Sequence, residues 1–338
     1  MTSRDERRNQ IESSIQSKLE HYPDIIKEYY YSLRTNSSTT KVTYINKLLQ
    51  FLAWYQERFH IDVIDLKVVG NIQSREIDEY FAIRALPTAE RENIEASTQA
   101  TQFTAVSNFF SFLKQRRYIE ENPMEDLKRP SVPHKNSAVC LSQDEIKSIL
   151  NQIEMGVGSN KAKGMQKRYK NRDKLLFLIP LTTGMRLSAL SEIDMDAIDL
   201  EKREISVIEK RNKYRTFELD DKVYEILQAW ILDRADIIGS QDIQALFITA
   251  REGYPHRIST RSVQKIVAKF SEQIDMKLSP HKLRKSYGTQ YFRMSGNDLS
   301  ATAAALGHND LKTTTLYVAE DKEKAREVNH KVADYMIN

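Results

Sequence analysis

Apolar residues recur at helical spacing over most of the chain, and they alternate with polar ones only in one short stretch. Behind Ser38-Thr39-Thr40, which offers N-cap oxygens, Val42, Ile45, Leu49 and Leu52 step by three or four along one helix face. Phe51, Trp54 and Tyr55 widen that stripe. A helical stretch is expected to begin near Pro23, and another to run from Ser74 to Ala85 with Ile77, Tyr80 and Phe81 inward. A polar segment containing Pro87 follows to about Thr98, and a third clear helix carries Phe103, Val106, Phe110 and Leu113. Residues 1–22 are polar and read as an arm or frayed helix. Residues 23–127 thus read as a small helical domain.

Residues 128–139 carry two prolines and no periodicity, which describes an extended linker. A second domain, 140–338, opens on a capping box, Ser142 with Glu145 three residues on. Residues 160–174 place Lys161, Lys163, Lys167, Arg168, Lys170, Arg172 and Lys174 against Asp173 alone. This stretch reads either as a solvated loop or as a phosphate-contacting one. Ile205 and Val207 alternate with polar residues, as do Tyr214, Thr216, Phe217 and Leu219 approximately, around Lys210-Arg211-Asn212-Lys213. That predicts a β-hairpin with a basic tip. Helical spacing resumes over Val223–Ile238 and Ser259–Ile274. The fold class expected is mainly α with a small β-sheet, in two domains.

Composition narrows the classes. The chain has 338 residues, 40% of them apolar and 29% charged, which suits globular domains rather than disorder. The net charge is only +4, so charge matters here through its clustering. A single cysteine, Cys140, excludes an intramolecular disulfide and a cysteine-rich zinc site. No apolar run has the length of a membrane span, and the charged first residues are not followed by an apolar stretch, so a cytoplasmic protein without a signal peptide is expected.

The candidate chemistry lies in the second domain. Thr183-Gly184-Met185-Arg186 places an arginine just beyond a glycine turn that follows an apolar run. His281 and Arg284 are three apart, so they share a helix face. Leu306-Gly307-His308 follows an alanine-rich helix, and Tyr317 comes nine residues after His308. Two guanidinium forks can clamp the nonbridging oxygens of a phosphodiester and offset charge in a pentacoordinate transition state. A tyrosine hydroxyl can attack phosphorus, its phenolate can leave again, and a lysine can protonate a departing oxygen. Such a set calls for no metal and no cofactor. His281 and His308 have no cysteine or His-Glu-x-x-His context that would make them ligands.

At these residues the chain resembles the tyrosine recombinase (phage integrase) family. The arginine box Thr-Gly-x-Arg-x-Ser-Glu-Leu is matched by Thr183 to Leu190, and the His-x-x-Arg box by His281 to Arg284. The Leu-Gly-His box is matched by Leu306 to His308. The hairpin pattern Gly-Lys-Gly-Asn-Lys-x-Arg is matched by Glu209 to Arg215. Leu246 to Arg284 and the basic stretch are most similar to the XerS-type single Xer recombinases of Firmicutes. The resemblance implies a clamp of a core-binding domain and a catalytic domain. It implies that Tyr317 attacks the scissile phosphate to give a 3′-phosphotyrosyl link. Arg186, Arg284 and His308 would bind the phosphate, and Lys210 would be the general acid, with Lys213 the alternative. His281 would assist proton transfer or position the phosphate. Strand exchange would pass through a Holliday junction in a tetramer.

Two departures stand out: Ala189 occupies the place of the usual acidic residue, and Lys285 follows the second arginine where His is common. Ala189 keeps open a catalytically weak DNA-binding protein of the same fold, and the shared chemistry keeps open a type IB topoisomerase. The expected partner is double-stranded DNA with an inverted-repeat core site, bound by a dimer, with Lys114, Arg116, Arg117, Lys128, Arg129, Lys167, Arg168 and Lys170 as candidate phosphate contacts. Ala325, Val328, Val332 and Tyr335 form an apolar stripe near the C-terminus. It would pack either on its own domain or on a neighbouring protomer.

Overall fold

The computed structural model describes residues 12–86, 95–132, 140–209, 213–271, 274 and 278–307. The chain divides into two compact units, Met1–Lys135 and Asn136–Asn338. The division falls inside the proline-containing stretch 128–139.

The first unit is helical. It contains α1 (12–19), α2 (Asp24–Ser32), α3 (Ser38–Phe59), α4 (Leu66–Gly70), α5 (Ser74–Ala85) and α6 (Ala96–Gln115). The cap of α3 lies one residue earlier than the sequence pattern suggests: the Ser37 hydroxyl accepts from the Thr40 amide. Residues 12–19 are part of the folded unit rather than an arm, because Ile15 and Leu19, four apart, bury one face in its core. The centre is aromatic. Phe51 meets Tyr80 edge-on with ring centroids 5.1 Å apart, and Tyr29 meets Phe109 in the same way. Gln102, itself buried, donates to the Tyr80 hydroxyl.

The second unit is built around α9 (Lys170–Thr183), against which α7 (Gln143–Met155), α11 (Asp221–Ile238), α12 (Thr260–Lys269) and α13 (Pro280–Met294) pack. The capping box forms as expected, with Ser142 and Glu145 each bonding the other's amide. The basic stretch 160–174 is not a loop. It forms α8 (Asn160–Lys167) and the first turns of α9. Ser159 caps α8, and the Gln166 amide folds back onto both backbone groups of Val157. Within it Arg172 is buried, bonded to Asp173 and to the Ile248 carbonyl at 2.8 Å, so its charge serves the core.

A three-stranded antiparallel sheet runs β1 (Ile198–Asp199), β2 (Glu204–Glu209), β3 (Lys213–Glu218). The register Val207↔Arg215 and Glu209↔Lys213 leaves residues 210–212 as the hairpin connection. On β2, Ile205, Val207 and Glu209 point inward while Ser206 and Ile208 point out, as a period of two requires. A second antiparallel pair, β4 (Ile248–Arg251) with β5 (Tyr254–Arg257), is joined through Glu252 and Gly253, both at positive φ. Helical spacing alone gave no sign of it. The helix expected to reach Ile274 is α12, which ends at Lys269. The described residues of this unit also form two short α-helices, α10 (Leu187–Ser191) and α14 (Leu299–Leu306). No helix among the described residues is long and apolar enough to cross a membrane.

Candidate active site

A turn, a helix and a strand deliver three arginines. Gly184, at φ +66°, ends α9 and turns the chain so that Arg186 becomes the N-cap residue of α10. Arg284 lies one turn into α13, whose start is fixed by the Ser279 hydroxyl accepting from the Lys282 amide and by Pro280 at its first position. Arg215 comes from β3 on the same face as buried Phe217, over whose ring its guanidinium sits at 4.5 Å.

All three arginines reach the C-terminal end of α14. A helix leaves its last carbonyls without internal partners, and cations are stabilised there. Arg215 donates to the Ala305 carbonyl, Arg284 to that of Leu306, and Arg186 to that of Gly307 at 3.1 Å. Arg284 also donates to the Gly184 carbonyl, tying the glycine turn to the end of α14. Among these guanidinium groups sits Glu209, 6% exposed, the last residue of β2. Its Oε2 accepts from Arg186 and lies 3.9 Å from Arg215, and its Oε1 lies 4.0 Å from Arg284. Burial pulls the Arg215 guanidinium below its ordinary pKa, and the Glu209 charge opposes that.

Arg186 and Arg284 share with His281 the wall of a pocket of about 490 Å³, completed by Ser188, Thr260, Gln264 and Ser279 among others. The N-termini of α12 and α13 both open onto it, so backbone dipoles add to the guanidinium charge. His281 is held below the ordinary imidazole pKa by desolvation, then by Lys285 and Arg284. The pocket is therefore positive and partly apolar.

Of the residues expected from sequence, Arg186, His281 and Arg284 are thus brought together. Lys210, His308 and Tyr317 lie outside the described residues, as does the stripe from Ala325 to Tyr335. Their chain neighbours are informative: Glu209 precedes Lys210, Gly307 precedes His308, and Arg186 bonds both. Lys213 opens β3 as the backbone partner of Glu209. Sequence reasoning gave no role to Glu209, Arg215, Thr260 or Gln264. The inward period of β2 and β3 is the signal that could have found the first two. Among the described residues no group of three or more His, Cys, Asp or Glu side chains could hold a metal ion.

The candidate phosphate contacts differ in their surroundings. Arg117, Lys128, Arg129, Lys167 and Arg168 are exposed. Lys114 is paired with Glu125 at 2.5 Å, and Arg116 lies 3.8 Å from Glu28. Lys170 is paired with Glu154 at 2.6 Å, and Lys174 shares the same carboxylate at 2.5 Å.

Comparison with known proteins agrees with this geometry. The chain is 27% identical over 326 residues to the tyrosine recombinase XerC of Caldanaerobacter subterraneus subsp. tengcongensis, covering 92% of this chain and 87% of that protein. It is 29% identical over 243 residues to XerC of Escherichia coli O157:H7, covering 71% and 74%. Among solved structures it is similar to the XerH site-specific recombinase bound to its difH substrate, with a TM-score of 0.62 at 20% identity over 90% of this chain and 83% of that one. It is also similar to the Tn1549 transposon integrase in complex with a circular intermediate DNA, with a TM-score of 0.60 at 17% identity over 91% and 99%. The model of the phage integrase family matches residues 140–324. That span is more than half of the chain and holds every arginine of the cluster at the end of α14; this chain is a member of the phage integrase family, the tyrosine recombinases.

Proposed function

We propose that this chain is a site-specific DNA recombinase that cuts and rejoins strands through a covalent phosphotyrosyl intermediate. One observation carries the reading. Arg186 and Arg284 come from points about a hundred residues apart, yet both line one pocket and both bond the end of α14, from which the chain runs on to His308. In this reading Tyr317 attacks the scissile phosphate and the 3′ side stays on its oxygen. Arg186 and Arg284 neutralise the charge that builds on the nonbridging oxygens, and His308 adds a hydrogen bond. Lys210 protonates the departing 5′ oxygen. His281, kept neutral by its surroundings, positions the phosphate or passes a proton. The attack of a deoxyribose 5′-hydroxyl on the phosphotyrosine then reverses the step, with no net loss of bonds.

The partner is duplex DNA with an inverted-repeat core site. A dimer occupies each site and a tetramer forms at synapsis, with the apolar stripe from Ala325 to Tyr335 docking on a neighbour. The work is chromosome-dimer resolution or the movement of a mobile element, in the bacterial cytoplasm at the nucleoid. Support comes from the XerC relatives and from the DNA-bound recombinases that share the fold.

The test uses a duplex selected for binding from a random library and nicked beside the cleavage point, so that the released fragment diffuses away. The full chain forms a protein–DNA adduct stable to denaturant, and Tyr317→Phe forms none while still binding the duplex. A topoisomerase would form the same adduct but would also relax supercoiled plasmid lacking any selected site. A chain that binds without forming an adduct refutes the recombinase reading.

A further inference from the structure

The arginine cluster poses a physical problem. Three guanidinium groups within reach of one carboxylate repel each other, and their burial raises the cost of that repulsion. The family's usual acid is missing, because Ala189 stands in its place and is itself buried. Where the family's hairpin pattern begins with glycine, however, this chain has Glu209. The inward face of β2 carries that carboxylate into the cluster, and α10, which bears Ala189, packs on the same strand.

We propose that Glu209 is the positioning carboxylate of this recombinase, an internal anion that holds Arg186, Arg215 and Arg284 in register for the scissile phosphate in place of the acid absent at 189. Three features support this. Glu209 contacts all three guanidinium groups, through a hydrogen bond to Arg186 and ion-pair distances to the others. Arg186 and Arg284 line the pocket while buried Glu209 does not, so its charge acts on the pocket only through them. Its Oε1 has no hydrogen-bond partner among the described residues, and neither has Arg215 Nη1. A buried ionic acceptor left half-satisfied is costly and is retained in a native site only against some other gain. Preorganised guanidinium groups are such a gain, because fixed donors need no reorientation when charge develops on phosphorus. Glu209 does not touch the reacting atoms and acts through the arginines.

The inference rests on the recombinase reading, and the experiment separates the two. Glu209→Gln keeps the shape and removes the charge. In single-turnover cleavage of the nicked duplex, run well below a thermal midpoint that falls because three guanidinium groups lose their carboxylate, the expected result is a rate constant lower by at least about tenfold, with duplex affinity within about twofold of the parent. Adding Ala189→Glu to that variant is expected to recover part of the rate, which a merely structural role for Glu209 would not produce. Equal cleavage rates in Glu209→Gln and the parent overturn the inference and leave the recombinase reading standing. A parent chain that forms no adduct overturns both.

Discussion

A Cβ placed on Gly184 would lie 2.5 Å from Cδ1 of Tyr287 and 2.7 Å from its Cε1. The close approach joins the turn before Arg186 to the helix that carries Arg284, because Tyr287 is on α13. The glycine is needed twice over: for its left-handed φ of +66° and for the space the ring occupies. Gly184→Ala is expected to lower unfolding free energy by at least about 2 kcal/mol, part from backbone strain and part from displacing the ring. Chemical denaturation of Gly184→Ala, Tyr287→Ala and the double variant checks the cause. The double variant should be less destabilised than the sum of the singles, since removing the ring removes the clash. Strict additivity would show that the contact is not the source.

The parts of this site that the sequence made readable are those with local chemistry. Ser74–Ala85 is a helix with the expected bounds and inward Ile77, Tyr80 and Phe81, because its spacing is its own evidence. Arg186, His281 and Arg284 could be picked out because each sits in a short motif next to a turn or cap. Glu209 could not. Beside Lys210 it looks like one more charge on a basic hairpin, and its burial follows only once β2 is in register with Ile205 and Val207. The basic stretch 160–174 failed as a loop for a related reason. Charge counting gave Arg172 and Lys174 the same weight as Lys167, although Arg172 faces Asp173 and the Ile248 carbonyl inside the core. The β4–β5 pair was missed because strands of four residues leave too little alternation to see, and only Gly253 marks the turn.

His281 should titrate below the ordinary imidazole value of 6.5. Burial disfavours its cation, Lys285 and Arg284 add like charge, and the N-terminal end of α13 adds a positive dipole. The unfolded chain then takes up this proton at a higher pH than the folded one. Stability from the neutral ring is fully present above 6.5 and is lost as pH falls from there through the folded value. A proton NMR titration should show one imidazole resonance, absent in His281→Gln, with its midpoint below 6.5. Between pH 7 and 5 the parent should lose stability relative to His281→Gln. A midpoint at or above the ordinary value would mean that the pocket does not keep this ring neutral.

Glu154 holds two cations of the basic stretch. Lys170 and Lys174 hold its carboxyl at about 2, so at neutral pH it is ionised and occupies both ammonium groups. Lys167 and Arg168, one turn earlier, are exposed. Each cation that meets a phosphate steepens the fall of log affinity with log salt by about 0.9. Replacing Lys167 and Arg168 by alanine should therefore flatten that slope by up to about 1.8 if both touch the backbone. Glu154→Gln should act in the opposite direction. Freeing Lys170 for a phosphate would steepen the slope by about 0.9 and tighten binding at low salt, with little change in which sequence is preferred. Fluorescence anisotropy of a labelled duplex over a salt series measures all three slopes. An unchanged slope in Glu154→Gln would remove Lys170 from the DNA surface and leave its pairing with Glu154 as a link between α7 and α9 alone.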